Sequence, residues 1–155
     1  MSFWQKYKPY IVQVLIALGV GGLSALLSGG MDTYGDLVQP PLSPPGWLFP
    51  VAWSILYILM GIAAGRIVTS HHKDSGGALG LYYLQLVLNF WWSPIFFRLG
   101  WLTFAAIWLA ALVVAVYATR SRFGRIDTAA GWLLLPYLLW CLFALYLNIG
   151  IVVLN

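Results

Sequence analysis

Five apolar stretches, each near the length a helix needs to cross a bilayer, leave this chain few possible folds. A helix crosses the hydrocarbon core in about 20 residues. Residues 10–28, 47–68, 79–97, 101–119 and 129–154 reach or approach that length. Of the 155 residues, 62% are hydrophobic and 8% are charged, against about 25% charged in soluble domains. A water-soluble fold of this size cannot hide so much apolar surface. The expected fold class is an all-α membrane protein, a five-transmembrane-helix bundle forming one domain over residues 1–155. Lys6 and Lys8 ahead of the run 11–27 resemble a secretion signal. The run is long for one and no small-residue cleavage site follows, so it reads as the first span.

The breaks between spans are chemically explicit. Gly29 and Gly30 end the first. Pro40, Pro41, Pro44 and Pro45 hold the first loop extended, because proline fixes φ and lacks an N–H. Residues 71–77 form the second loop and 120–128 the fourth. Residues 98–100 make a tight turn, so the third and fourth spans are antiparallel neighbours. The net charge is +4. Lys6, Lys8, Arg66, Lys73, Arg120, Arg122 and Arg125 fall on one side and Arg98 on the other. By the positive-inside rule the N-terminus lies inside and the first loop, with Asp32 and Asp36, outside. These cations report orientation in a lipid bilayer, not binding of nucleic acid. Trp4, Trp47, Trp101 and Trp132 stand at span ends and read as interfacial anchors.

Polar groups inside apolar spans face neighbouring helices or a cavity. Residues three, four and seven apart share a helix face. Pro50, Trp53, Tyr57 and Gly61 form one such stripe, and Gln85, Asn89, Trp92, Ser93 and Phe96 a second. Tyr137, Trp140, Ala144 and Asn148 form a third. The topology gathers all three in the middle-to-outer part of the bundle, beneath the proline-rich loop. Spacing alone leaves a ligand pocket and ordinary helix packing equally open, since amides also bond neighbouring helices. Gly61-x-x-x-Gly65, Gly21-x-x-x-Ala25 and Gly76-x-x-x-Gly80 permit close approach, within the bundle or in a dimer. Pro136 is either a functional or a passive kink.

Some chemistry is missing. No Asp, Glu, Lys, Arg or His lies mid-span, which argues against an ion-coupled transporter. No metalloprotease, nucleotide-binding or nucleophile motif occurs. No catalytic residue and no metal ligand is assigned. His71 and His72 read as a solvated turn and Cys141 as an apolar filler.

Three stretches together resemble the translocator protein/tryptophan-rich sensory protein (TspO/MBR) family. They are Tyr34 to Gly61 with its Ser43-Pro44-Pro45-Gly46-Trp47 turn, Gln85 to Asn89 followed by Trp92 and Pro94, and Leu135-Pro136-Tyr137-Leu138-Leu139-Trp140 followed by Ala144 and Asn148. The resemblance implies a five-helix bundle, often a homodimer. It implies binding of porphyrins and other tetrapyrroles (protoporphyrin IX, haem) and of isoquinoline-carboxamide or benzodiazepine-type drugs. Tyr34, Pro44, Trp53, Asn89, Trp92, Trp140 and Ala144 match the family's pocket positions. Tyr57, Tyr137 and Asn148 join the expected site from the stripes. The sterol-recognition pattern of animal members lacks its basic residue after Tyr146. That points to a prokaryotic cell-membrane protein and away from sterol binding.

The expected function is a porphyrin receptor or translocator with a role in stress signalling. No cofactor is obligatory; porphyrin or haem is a ligand. The alternatives are light- and oxygen-dependent porphyrin degradation through Trp53 and Trp140, and regulation of another membrane protein.

Overall fold

The structure is a computed structural model describing residues 3–29 and 36–155. Asp32 and Tyr34 lie outside the described residues. The helices are α1 (Phe3–Ser28), α2 (Leu48–Ser70), α3 (Ser75–Ser93), α4 (Leu102–Ile126), α5 (Thr128–Leu133) and α6 (Leu135–Leu154). No strand occurs among the described residues. α5 and α6 form one rod interrupted at Leu134, where Pro136 in the first turn of α6 brings no N–H. Among the described residues the bundle therefore has five rods.

Four of these rods, α1, α2, α4 and α5–α6, are long and apolar enough to cross a membrane. The expected third span is the exception. Gly76, Gly77, Gly80, Gln85 and Asn89 dilute the apolar content of α3. Pro94 then ends its regular hydrogen bonding, and the chain widens into a π-helical turn over Pro94–Arg98. Leu99 N–H reaches back five residues to the Pro94 carbonyl at 3.1 Å.

The expected fourth loop at 120–128 is largely helix. Arg120, Arg122 and Arg125 continue α4 to Ile126, and Asp127 alone turns extended. Arginine is a good helix former, so a basic run marks the edge of the apolar layer without ending the helix. The Asp127 side chain caps α5 by accepting from the Ala130 N–H at 3.2 Å. It also pairs with the Arg66 guanidinium at 3.1 Å. Gly29 and Gly100 close α1 and open α4 with φ of +78° and +66°, where a side chain would be strained.

α1 lies antiparallel on α2 at very short range. A Cβ on Gly61 would strike the backbone of Val14, and one on Gly65 would meet Tyr10 at 2.8 Å. The Gly61-x-x-x-Gly65 motif thus serves a contact inside the bundle. Gly76 and Gly80 face open space. α3 runs parallel to α1 and antiparallel to its neighbour α4; α6 packs on α4 and closes the ring against α2. The seven cations fall at one end: Tyr10 meets Gly65, Arg66 meets Asp127, and Arg122 lies near Gly77. Arg98 sits at the other, donating to the Leu27 carbonyl at the end of α1 at 3.2 Å.

Gly61→Val should overpack the α1–α2 contact and cost about 1–3 kcal/mol, read as a fall in thermal midpoint in detergent. Gly76→Ala should leave the midpoint nearly unchanged. Asp127 yields a pH expectation. Burial pushes its carboxyl upward, but hydrogen bonds from Arg66 and Ala130 and the Arg66 charge outweigh this and hold it below its ordinary value. A lowered carboxylate pKa stabilises above the unfolded value, and that stability is lost as pH falls through the folded value. Acid unfolding scans should show a component that Asp127→Asn removes.

Candidate functional site

Above the Gly61 contact, Gly21 admits the Tyr57 ring, which a Cβ there would strike; beside and beyond that ring the two helices leave room. A cavity of about 380 Å³ opens there between α1, α2 and α3. The α1 wall is built of Leu18 and a run of small residues: Gly21, Gly22, Ser24, Ala25 and Ser28. Their spacing of three and four puts them on one helix face. Ser24 donates to the Phe90 carbonyl at 2.6 Å, and Ser28 lies 2.9 Å from Ser93 Oγ, which ties this part of α1 to α3. Phe49, Pro50, Trp53, Ser54 and Tyr57 form the α2 wall. Asn89, Trp92 and Ser93 form the α3 wall, with Phe97 beyond it. Gly22, Ala25, Pro50 and Ser54 are exposed, so the cavity opens sideways between α1 and α2.

Of the residues expected in the site, Trp53, Tyr57, Asn89 and Trp92 meet at this cavity. Trp53 stacks on Tyr57 with ring centres 5.7 Å apart. Tyr137 and Trp140 do not line the cavity. They stand behind Trp53, edge-on at 6.2 and 6.3 Å. Ala144 and Asn148 line a separate, far smaller void on the other side of Trp92. Pro44 lines neither, and Tyr34 lies outside the described residues. The single chamber expected between the second, third and fifth spans is thus split by Trp92, and its larger part belongs to α1.

A continuous hydrogen-bond chain runs behind the wall. Tyr57 Oη donates to Asn89 Oδ1 at 2.8 Å. Asn89 Nδ2 donates to Tyr137 Oη at 2.6 Å, and Tyr137 Oη donates to Gln85 Oε1 at 2.6 Å. All four side chains are buried. Gln85 Nε2, at the end of the chain, has no partner among the described residues. A second pair fixes Trp92, whose Nε1–H donates to Asn148 Oδ1 at 3.1 Å. Asn148 Nδ2 in turn donates to the Leu102 carbonyl at 3.0 Å. Asn148 is therefore occupied in holding Trp92.

The first loop is strapped to α6. Pro40 fills the notch left by Gly150, and Tyr146 Oη donates to the Pro41 carbonyl at 2.7 Å. The Asn155 amide pairs with both the N–H and the carbonyl of Val38. Sequence reasoning missed the α1 wall and Phe49. The Gly21-x-x-x-Ala25 spacing was the available signal, but it marks closeness and emptiness equally well.

A model of the TspO/MBR family matches residues 11–154. The chain belongs to the TspO/MBR family. It is 39% identical over 137 residues to protein CrtK of Rhodobacter capsulatus, covering 87% of this chain and 85% of that protein. It is 34% identical over 146 residues to the tryptophan-rich protein TspO of Chlorobaculum tepidum, covering 93% and 92%. The human translocator protein is 35% identical over 129 residues, covering 77% and 72%. With four apolar helices long enough to cross a bilayer, this TspO/MBR member is an integral multi-pass membrane protein.

Asn89→Leu should strand the Tyr57 hydroxyl and leave Tyr137 without its donor. Leaving such buried groups unpaired costs about 1–3 kcal/mol. The expected readout is a lowered thermal midpoint, with a smaller loss for Trp92→Phe.

Proposed function

We propose that this TspO/MBR protein is a tetrapyrrole receptor or translocator. It holds a porphyrin such as protoporphyrin IX or haem in the α1–α2–α3 cavity and takes part in porphyrin handling and stress signalling. The observation that carries this reading is the cavity wall, where Trp53, Tyr57 and Trp92 face a row of small α1 residues across about 380 Å³. That volume lies in the range of small-molecule sites, about 300–1,000 Å³. A flat aromatic ligand gains about 0.5–1.5 kcal/mol per ring pair beyond area burial. None of the described lining residues is His, Cys or Met, and the hydroxyl of Tyr57, the remaining haem-ligand type on the wall, is bonded to Asn89. The macrocycle is held by its faces and edges and not by an axial bond.

The porphyrin carboxylates stay at the outer mouth, because burying them unpaired is costly. Arg98 stands there, bonded to Leu27 beside the lining residues Ser28 and Gly29. The 75–98 segment, α3 with its π-helical turn, runs alongside the four apolar rods and makes the fifth crossing. The cationic end faces the cytoplasm of a prokaryotic cell, which leaves the cavity nearer the outer face.

Quenching of tryptophan fluorescence by protoporphyrin IX tests the site. Trp53→Ala and Gly22→Leu are each expected to weaken binding about tenfold, close to 1.4 kcal/mol. A Gly22 Cβ meets nothing within 4 Å, so leucine there fills the cavity without moving the backbone. Trp140→Ala, one layer behind, should cost less. Arg98→Gln should weaken protoporphyrin IX but not its dimethyl ester. Unchanged affinity in both Trp53→Ala and Gly22→Leu would remove this cavity as the porphyrin site.

A further inference from the structure

The chain Tyr57–Asn89–Tyr137–Gln85 has a direction, and the direction determines what the cavity offers a ligand. A tyrosine hydroxyl has one proton and two acceptor positions; an amide has a donor end and an acceptor end. The Tyr137 proton is committed to Gln85, so Tyr137 accepts from Asn89 Nδ2. Asn89 must then present Oδ1 to Tyr57, and the Tyr57 proton is spent on it. Among the described residues nothing donates to Tyr57 Oη. Tyr57 therefore meets a ligand as an acceptor only.

The same heavy-atom positions admit the reverse order. With both amides turned over, Gln85 donates to Tyr137, Tyr137 to Asn89 Oδ1, and Asn89 Nδ2 to Tyr57. The Tyr57 proton is then free for a ligand oxygen. Either order leaves one atom of Gln85 unpaired, Nε2 in the order observed. Burial in a low-dielectric interior makes each link strong and the orphaned end costly.

We propose that Gln85, which does not itself line the cavity, is a specificity-determining residue that sets this order through Tyr137. In the order observed, the cavity selects flat apolar ligands that carry an N–H or O–H donor. This rests on the cavity being the ligand site proposed above.

Carbazole and 9-fluorenone make the test, being flat tricycles of one shape, with an N–H donor in one and a carbonyl acceptor in the other. Each is titrated against bound protoporphyrin IX in the detergent-solubilised protein, and the ratio of their affinities is read. The wild-type protein should prefer carbazole. Gln85→Leu removes the acceptor for Tyr137, whose proton then turns to Asn89 and reverses the order. The ratio should move about three- to tenfold towards fluorenone, the size of one net hydrogen bond. Adding Tyr137→Phe to Gln85→Leu removes the group that carries the reversal, and the ratio should return towards wild type. If Gln85→Leu does not fold, Gln85→Met carries the same comparison.

A ratio that does not move with Gln85, or probes that fail to compete while protoporphyrin IX binds, overturns this inference and leaves the porphyrin reading standing. Should protoporphyrin IX, carbazole and fluorenone all fail to bind the wild-type protein, both fall together.

Discussion

The contact of Gly61 with the Val14 backbone is the constraint on which the rest of the molecule depends. In a bilayer, helices gain nothing by hiding apolar surface from one another, so close packing must hold them together. Gly61 and Gly65 let α1 approach until backbone meets backbone and ring. Gly21 extends the contact to the Tyr57 ring, and beyond it the helices leave room, where bulky Trp53 and Pro50 on α2 share a cavity with Gly22, Ala25 and Ser28 on α1. Close contact from Gly65 up to Gly21 and room beyond it make a wedge. The cavity is the open end of that wedge, and its sideways mouth follows from the same geometry.

Polar side chains supply the second fastening. Tyr57, Asn89, Tyr137 and Gln85 join α2, α3 and α6, while Trp92 and Asn148 join α3, α6 and the start of α4. Measured interhelical bonds of this kind average about 0.6 kcal/mol, less than the packing contributes. Their value lies in direction and register. An aromatic wall fixed by such bonds keeps its rings in one orientation when the cavity is empty, which lowers the ordering cost of binding.

Much of the bundle was legible in the chain. Hydropathy marked the five rods, Arg98 and Gly100 marked the sharp turn, and the four span-end tryptophans stand exposed. The fourth loop misled because arginines signal the edge of a membrane, and a helix can outrun that edge, as α4 does. Helical spacing correctly grouped Tyr137, Trp140, Ala144 and Asn148 on one side of α6. It could not say which neighbour that side would meet. Asn148 met Trp92 and spent its amide there. The α1 wall was hardest to foresee, since glycine, alanine and serine carry almost no chemistry, and their contribution to a site is the room they leave.

The π-helical turn bears on how the chain compares with its relatives. Pro94, Ile95, Phe96 and Phe97 are all buried, four in succession, which one face of a regular helix cannot accomplish. The turn holds an extra residue in the helical path, and each residue rotates the path by about 100°. A homologue shorter by one residue here would carry its counterpart of Arg98 round to a different quarter of the bundle, away from the end of α1. A one-residue gap in an alignment at this point is thus a change in what guards the mouth of the cavity, whereas the same gap in the exposed 71–74 turn would pass unnoticed.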